Sequence, residues 1–102
     1  MEKGLFNITS ATTTSLINKG ERAGNIKSIN IANCHATSLV YISLFLDDDT
    51  NKTYFFKKNL LYPGERIFLN NGISFDNISL GLKITTEVVI TSQAIDTNVI
   101  IK

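Results

Sequence analysis

The longest apolar stretch of the chain covers residues 39–46, Leu-Val-Tyr-Ile-Ser-Leu-Phe-Leu, and Asp47-Asp48-Asp49-Thr50-Asn51 ends it abruptly. A run this short suits a strand better than a helix, and its lack of a polar face predicts a central strand covered on both sides. Residues 53–57, with Tyr54, Phe55 and Phe56, resume the apolar pattern and predict a β-hairpin around the acidic turn. Upstream, residues 25–33 alternate: Lys27, Ile29 and Ile31 fall on one face and Ser28, Asn30 and Ala32 on the other. Downstream, residues 80–86 alternate in the same way, with Leu80, Leu82 and Ile84 on one side. Shorter strands are predicted over residues 15–18, 66–69, 73–75, 88–90 and 98–101.

Turn residues punctuate these segments. Pro63-Gly64 is a type II signature, since proline presets φ at the first central position and glycine supplies positive φ at the second. Asn70-Asn71-Gly72 marks another turn, and residues 19–24 form a polar loop bounded by Gly20 and Gly24. Such signals recur about every 8–12 residues, the spacing of antiparallel sandwiches and barrels. No helical period persists beyond one or two turns. The pattern therefore predicts an all-β fold, a single-domain antiparallel β-sandwich of jelly-roll or Ig-like type. The sandwich is expected over residues 14–102. Residues 1–13 are expected as an N-terminal arm, with Leu5, Phe6 and Ile8 as apolar side chains free to dock on a neighbour.

Composition reinforces this picture. Ile, Val and Thr occupy 29 of 102 positions, and β-branched side chains fit a pleated sheet better than a helix. A formal net charge of +1, with Lys57-Lys58 the only adjacent cationic pair, gives no basic patch for phosphate neutralisation. No nucleic-acid partner is expected. No apolar run reaches the length of a membrane helix, so no membrane partner is expected either. A lone cysteine, Cys34, excludes an internal disulfide and fits folding in a reducing cytoplasm.

The supply of catalytic groups is thin. His35 is the only histidine, and its neighbour Cys34 would need a third group to orient the pair as nucleophile and base. A small cysteine and a loop histidine are the plainer reading. Asp47, Asp48 and Asp49 could offer oxygen ligands to a hard cation, but the segment lacks the glycine and distal glutamate of an EF-hand loop. A solvated hairpin tip is the plainer reading here too. Tyr54, Phe55, Phe56 and Tyr62 could stack on bases only if interleaved with basic residues, so packing is expected of them. No catalytic residue, metal site or cofactor is expected. Leu5, Phe6, Ile8 and Tyr62 are the candidate interface residues.

Several segments together resemble the small virion structural proteins of tailed bacteriophages, especially those of marine and cyanobacterial phages. Residues 25–33, Asn-Ile-Lys-Ser-Ile-Asn-Ile-Ala-Asn, resemble their I-K-S-I-x-I-A-N strand, and His35-Ala36-Thr37-Ser38 resembles the short turn after it. The strand at 39–46, the hairpin strand at 52–56, the stretch from Pro63 to Leu69 and residues 79–85 continue the likeness. The resemblance implies a β-sandwich on the virion, assembled in the host cytoplasm as a homo-oligomer and contacting capsid or tail subunits. Capsid decoration or cement, and neck or tail adaptor, are the roles it implies. A receptor- or glycan-binding module at a tail tip is the alternative, and an enzyme using Cys34 a third reading.

Overall fold

The computed structural model describes residues 4–20, 26–70, 72–76, 78–91 and 93–102. The described residues form eight strands: β1 (Gly4–Ile8), β2 (Thr12–Ile17), β3 (Ile29–Asn33), β4 (Val40–Asp47), β5 (Lys52–Leu61), β6 (Arg66–Leu69), β7 (Gly81–Val88) and β8 (Thr97–Ile101). They form two four-stranded sheets, ordered β1-β8-β3-β6 and β2-β7-β4-β5. Four antiparallel pairs are nested along the chain, each enclosing the next: β1 with β8, β2 with β7, β3 with β6, β4 with β5. The chain thus runs as a long doubled ribbon whose tip is the β4–β5 hairpin. Rolling that ribbon brings β3 against β8 and β4 against β7, which closes each sheet. Eight strands in this order, as two interlocked Greek keys, define a jelly roll. The Ig-like alternative is set aside by strand order.

The core lies between the sheets and is almost entirely branched aliphatic. Ile29 and Ile31 of β3 and Val99 and Ile101 of β8 face Val40, Ile42 and Leu44 of β4 and Leu82 and Ile84 of β7, all fully buried. These are the alternate positions of each strand, as period-2 side-chain geometry requires. The hairpin and central strand predicted around the acidic turn are both present. Residues 42–45 of β4 are buried on both faces. The outer-face cover is not a third layer, however. Phe45 is 1% exposed because Tyr54 leans on it with ring centroids 5.2 Å apart, and Lys52 Nζ sits 5.3 Å from its ring centroid.

Four expectations need correction. The first is the N-terminal arm: Gly4–Ile8 is β1, paired along β8 from Gly4↔Ile101 to Ile8↔Thr97, and the proposed boundary at residue 14 falls inside β2. An apolar segment of the right length can satisfy its backbone by completing a sheet edge, and β8 offers that edge. Second, the regular strand in residues 25–33 begins only at Ile29; Ile26 makes an isolated bridge to Ile73, with amide and carbonyl bonds of 3.0 and 2.8 Å. Third, residues 73–75 contribute only that bridge. Fourth, residues 80–86 and 88–90 are not separate strands, because β7 runs unbroken beside β4 to Val88. The 19–24 loop is described only at Lys19 and Gly20, and residues 21–25 lie outside the described residues.

Because β1 buries Ile8 and packs Phe6 against the core, removing residues 1–8 should destabilise the domain by at least about 2 kcal/mol, the cost of uncovering one large aliphatic side chain. A denaturant titration of the truncated chain checks this. A dispensable arm would leave the midpoint unchanged.

Candidate interaction surface

The residues with reactive side chains are occupied by structural work. Asn33 ends β3 and is buried, so its amide must find partners. Its Nδ2 donates to the carbonyls of Ser38 and Leu61 at 2.8 and 3.1 Å, and its Oδ1 accepts from the His35 amide at 3.1 Å. Its own backbone donates to Glu65 O and accepts from Gly64 N, both at 2.9 Å. One residue therefore ties three segments together, its side chain holding the 34–38 loop and the end of β5 and its backbone holding the Pro63-Gly64 turn. That turn has the predicted form: Gly64 has φ of 84°, and Glu65 N donates to Tyr62 O at 3.0 Å.

His35 takes part in the same loop. Its Nδ1 accepts from the amides of Thr37 and Ser38 at 3.1 and 3.0 Å, so that nitrogen is used up holding backbone. Cys34 is exposed, and its Sγ lies 3.8 Å from the Ala32 carbonyl, a local contact with no base beside it. The two adjacent residues do not converge on a common point.

The acidic turn is similarly committed. Asp47 Oδ1 accepts from Asp49 N at 2.8 Å, and its Oδ2 meets Lys83 Nζ at 3.0 Å. Asp48 Oδ1 accepts from the amides of Thr50 and Asn51, at 2.9 and 2.6 Å, and Asp49 Oδ2 pairs with Lys19 Nζ at 2.7 Å. Among the described residues, no three His, Cys, Asp or Glu side chains are placed to hold a metal ion. The Lys83 ammonium holds the Asp47 carboxyl below its usual value of 3.8, and the Asn51 amide does the same for Asp48.

What the fold leaves unoccupied is the outer face of the first sheet. Register places Leu5 opposite Ile100, Ile100 opposite Asn30, and Asn30 opposite Phe68. One row thus crosses all four strands, and among the described residues no third layer covers it. Leu5 is 65% exposed and Phe68 53% exposed, at the two ends, with Ile100 half-buried between them. Shallow grooves of about 310 and 300 Å³ lie on either side of Ile100, the first lined by Leu5, Asn7 and Asn98, the second by Asn30, Arg66 and Phe68. The next row, Asn7, Asn98, Ala32 and Arg66, is polar at three of its four positions. Such an apolar stripe with a polar border has the anatomy of a protein contact surface.

The four residues singled out from sequence divide on this structure. Leu5 lies on the stripe. Ile8 is buried, and Phe6 packs against the core, so both face inward. Tyr62 is 55% exposed at the turn after β5 and is not a member of the row. Phe68 and Ile100 escaped sequence reading, because residues 66–69 and 97–101 alternate too briefly to show which face closes on the core.

No protein-family model matches the sequence, and no curated protein matches it. Among solved structures, the chain aligns with that of infectious bursal disease virus Gx strain at 12% identity and a TM-score of 0.39, covering 99% of this chain and 27% of that one. It aligns with the crystal structure of the T13 particle of the same virus at 13% identity and a TM-score of 0.39, covering 99% and 25%. The chain spans about a quarter of the length of these proteins. Identity and score at this level carry no functional inference.

Two measurements test the site's internal logic. Asn33→Ala leaves two buried carbonyls without their donor and should cost about 2–4 kcal/mol of unfolding free energy. Chemical denaturation reads that loss directly. The second concerns pH. Since folding lowers the Asp47 and Asp48 values, the unfolded chain binds more protons around pH 3.8. Their contribution is complete above that value and disappears as pH falls through the lowered folded values. Asp47→Asn should flatten the fall in melting temperature below about pH 4, seen by calorimetry across a pH series.

Proposed function

We propose that this chain is a non-enzymatic structural subunit of a virus particle, which binds neighbouring capsid or tail subunits through the outer face of its first sheet. The observation that carries the reading is the row of Leu5, Ile100, Asn30 and Phe68, apolar at three of its four positions, which crosses the full width of a sheet on its outer face. Burying apolar surface of this kind against a partner is worth about 25 cal/mol per Å². The jelly roll supports it, being an architecture used by capsid proteins as well as by lectins and cupins. The reactive side chains support it too: Asn33, His35 and the three aspartates are engaged in local bonds that shape loops.

Within that reading, the likeness of residues 16–102 to small virion proteins supports a tailed phage, and a decoration, cement or neck-tail adaptor role. Other virion proteins and further copies of the same chain are the partners, and the virion, assembled in the host cytoplasm, is the location. The described residues include no helix long and apolar enough to cross a membrane. A second reading, a receptor- or glycan-binding module at a tail tip or fibre, draws on one specific observation. Tyr62 stands exposed beside a rigid turn, its amide donating to Glu65 Oε1 at 2.7 Å, where an aromatic ring could meet a sugar face.

Mass spectrometry of purified particles from the virus that carries this sequence tests the proposal. The chain should be present at a fixed copy number relative to the shell protein. Phe68→Asp should reduce its incorporation at least tenfold while shifting stability by no more than about 0.5 kcal/mol, as expected of an exposed position. Absence of the wild-type chain from particles overturns the proposal.

A further inference from the structure

The sandwich has four edge strands, β1 and β6 in one sheet and β2 and β5 in the other. An edge strand presents alternate N–H and C=O groups without partners, and proteins normally guard such edges with lysine, proline, bulges or short length. The two flanks of this molecule differ sharply in that respect.

The β5/β6 flank is guarded. β5 carries Lys52, Lys57 and Lys58, and its pairing with β4 shifts register twice. Lys58 has a positive φ of 53°, and its amide donates to Ser43 Oγ at 2.9 Å, so the strand bends away from a regular edge. β6 has only four residues and includes Arg66.

The β1/β2 flank has almost none of these devices. From Gly4 to Ile17 the chain has no charged residue and no proline. β1 keeps unbroken register with β8 over its whole length, without a bulge. β2 is a threonine-rich strand whose one irregularity lies at its end, between Ser15 and Ile17. Leu5 projects from β1 with two thirds of its surface exposed.

We propose that this flank pairs with the same flank of a second copy, β1 running antiparallel to β1 of the partner. A two-fold axis along the sheet normal reverses strand direction but keeps each sheet in its layer. It therefore brings β1 to its counterpart and β2 to its counterpart in one operation, extending the sandwich edge to edge. The contact is isologous, so the surface needs to complement only itself. An uncharged flank meets that condition without repulsion, whereas two copies of the lysine-bearing β5 edge would repel. Adjacent threonines from the two β2 strands can also form the cross-strand hydroxyl bond that Thr13 and Thr85 already make at 2.8 Å. The partner here is a second copy of the chain, and the contact is an edge that shares only Leu5 with the sheet-face row proposed above.

Sedimentation equilibrium over a wide concentration range tests the pairing. The wild-type chain should pass from monomer to dimer. Leu5→Lys, which installs the missing edge charge at an exposed position, should weaken the dimer at least tenfold, and Phe68→Asp should leave it intact. Hydrogen exchange on the unmodified protein supplies an independent readout: β1 amides should slow as concentration rises, and β6 amides should not. The proposal is overturned by a chain that stays monomeric throughout, by a dimer that protects β6 rather than β1, or by a dimer that Phe68→Asp dissolves. A monomeric chain found in particles would overturn the edge pairing alone. A β1-paired dimer absent from particles would overturn the virion role alone.

Discussion

Everything in this molecule depends on one face of each sheet closing against the other. Ile29, Ile31, Val99 and Ile101 on one side and Ile42, Leu44, Leu82 and Ile84 on the other exclude water from the centre. Strand geometry turns every second side chain to the same face, so each of these residues commits its neighbours to the outside. A slip of one residue would exchange Ile29 and Ile31 for Asn30 and Ala32 in β3, and Leu82 and Ile84 for Lys83 and Thr85 in β7. Register is therefore held by the whole core at once, and loops need only avoid disturbing it.

The loops achieve this with few resources. Asn33 saturates its amide on two segments, the 34–38 loop and the end of β5, His35 gives one ring nitrogen to two backbone amides, and Asp48 caps the hairpin tip with two more. These polar side chains work as backbone substitutes, satisfying groups that the sheets cannot reach. That use commits these polar side chains to loop structure. On the proposed reading, binding falls to apolar side chains on the outer sheet and to the strand edges, where it needs shape and exposed area rather than activated groups.

The edges and the outer face come from the same feature of a sandwich, which has two inner faces but only two layers. Outer faces can be closed from within, as Tyr54 and Lys52 shelter Phe45 on the second sheet, or left for a partner. Along the row of Leu5, Ile100, Asn30 and Phe68, the first sheet has no such cover among the described residues. The asymmetry of charge between the two flanks is equally specific, since β5 carries three lysines and β1 and β2 carry no charged residue.

Sequence alone determined the local grammar: strand content, the central buried strand at residues 39–46, the hairpin around Asp47-Asp48-Asp49, and the Pro63-Gly64 turn. Each of these follows from side-chain spacing or from allowed φ values within a few residues, so no distant contact is needed to see them. Tertiary structure alone decided which strands pair, and hence that the sandwich is a jelly roll. It turned residues 4–8 from a free arm into β1, because β8 offered unpaired backbone groups that the sequence of the arm does not reveal. It also decided that Ile8 faces the core while Leu5 faces solvent, and that Phe68 and Ile100 join Leu5 in one row. Pairing between strands far apart in the chain depends on the collective closure of the core, and no short window of residues contains that information.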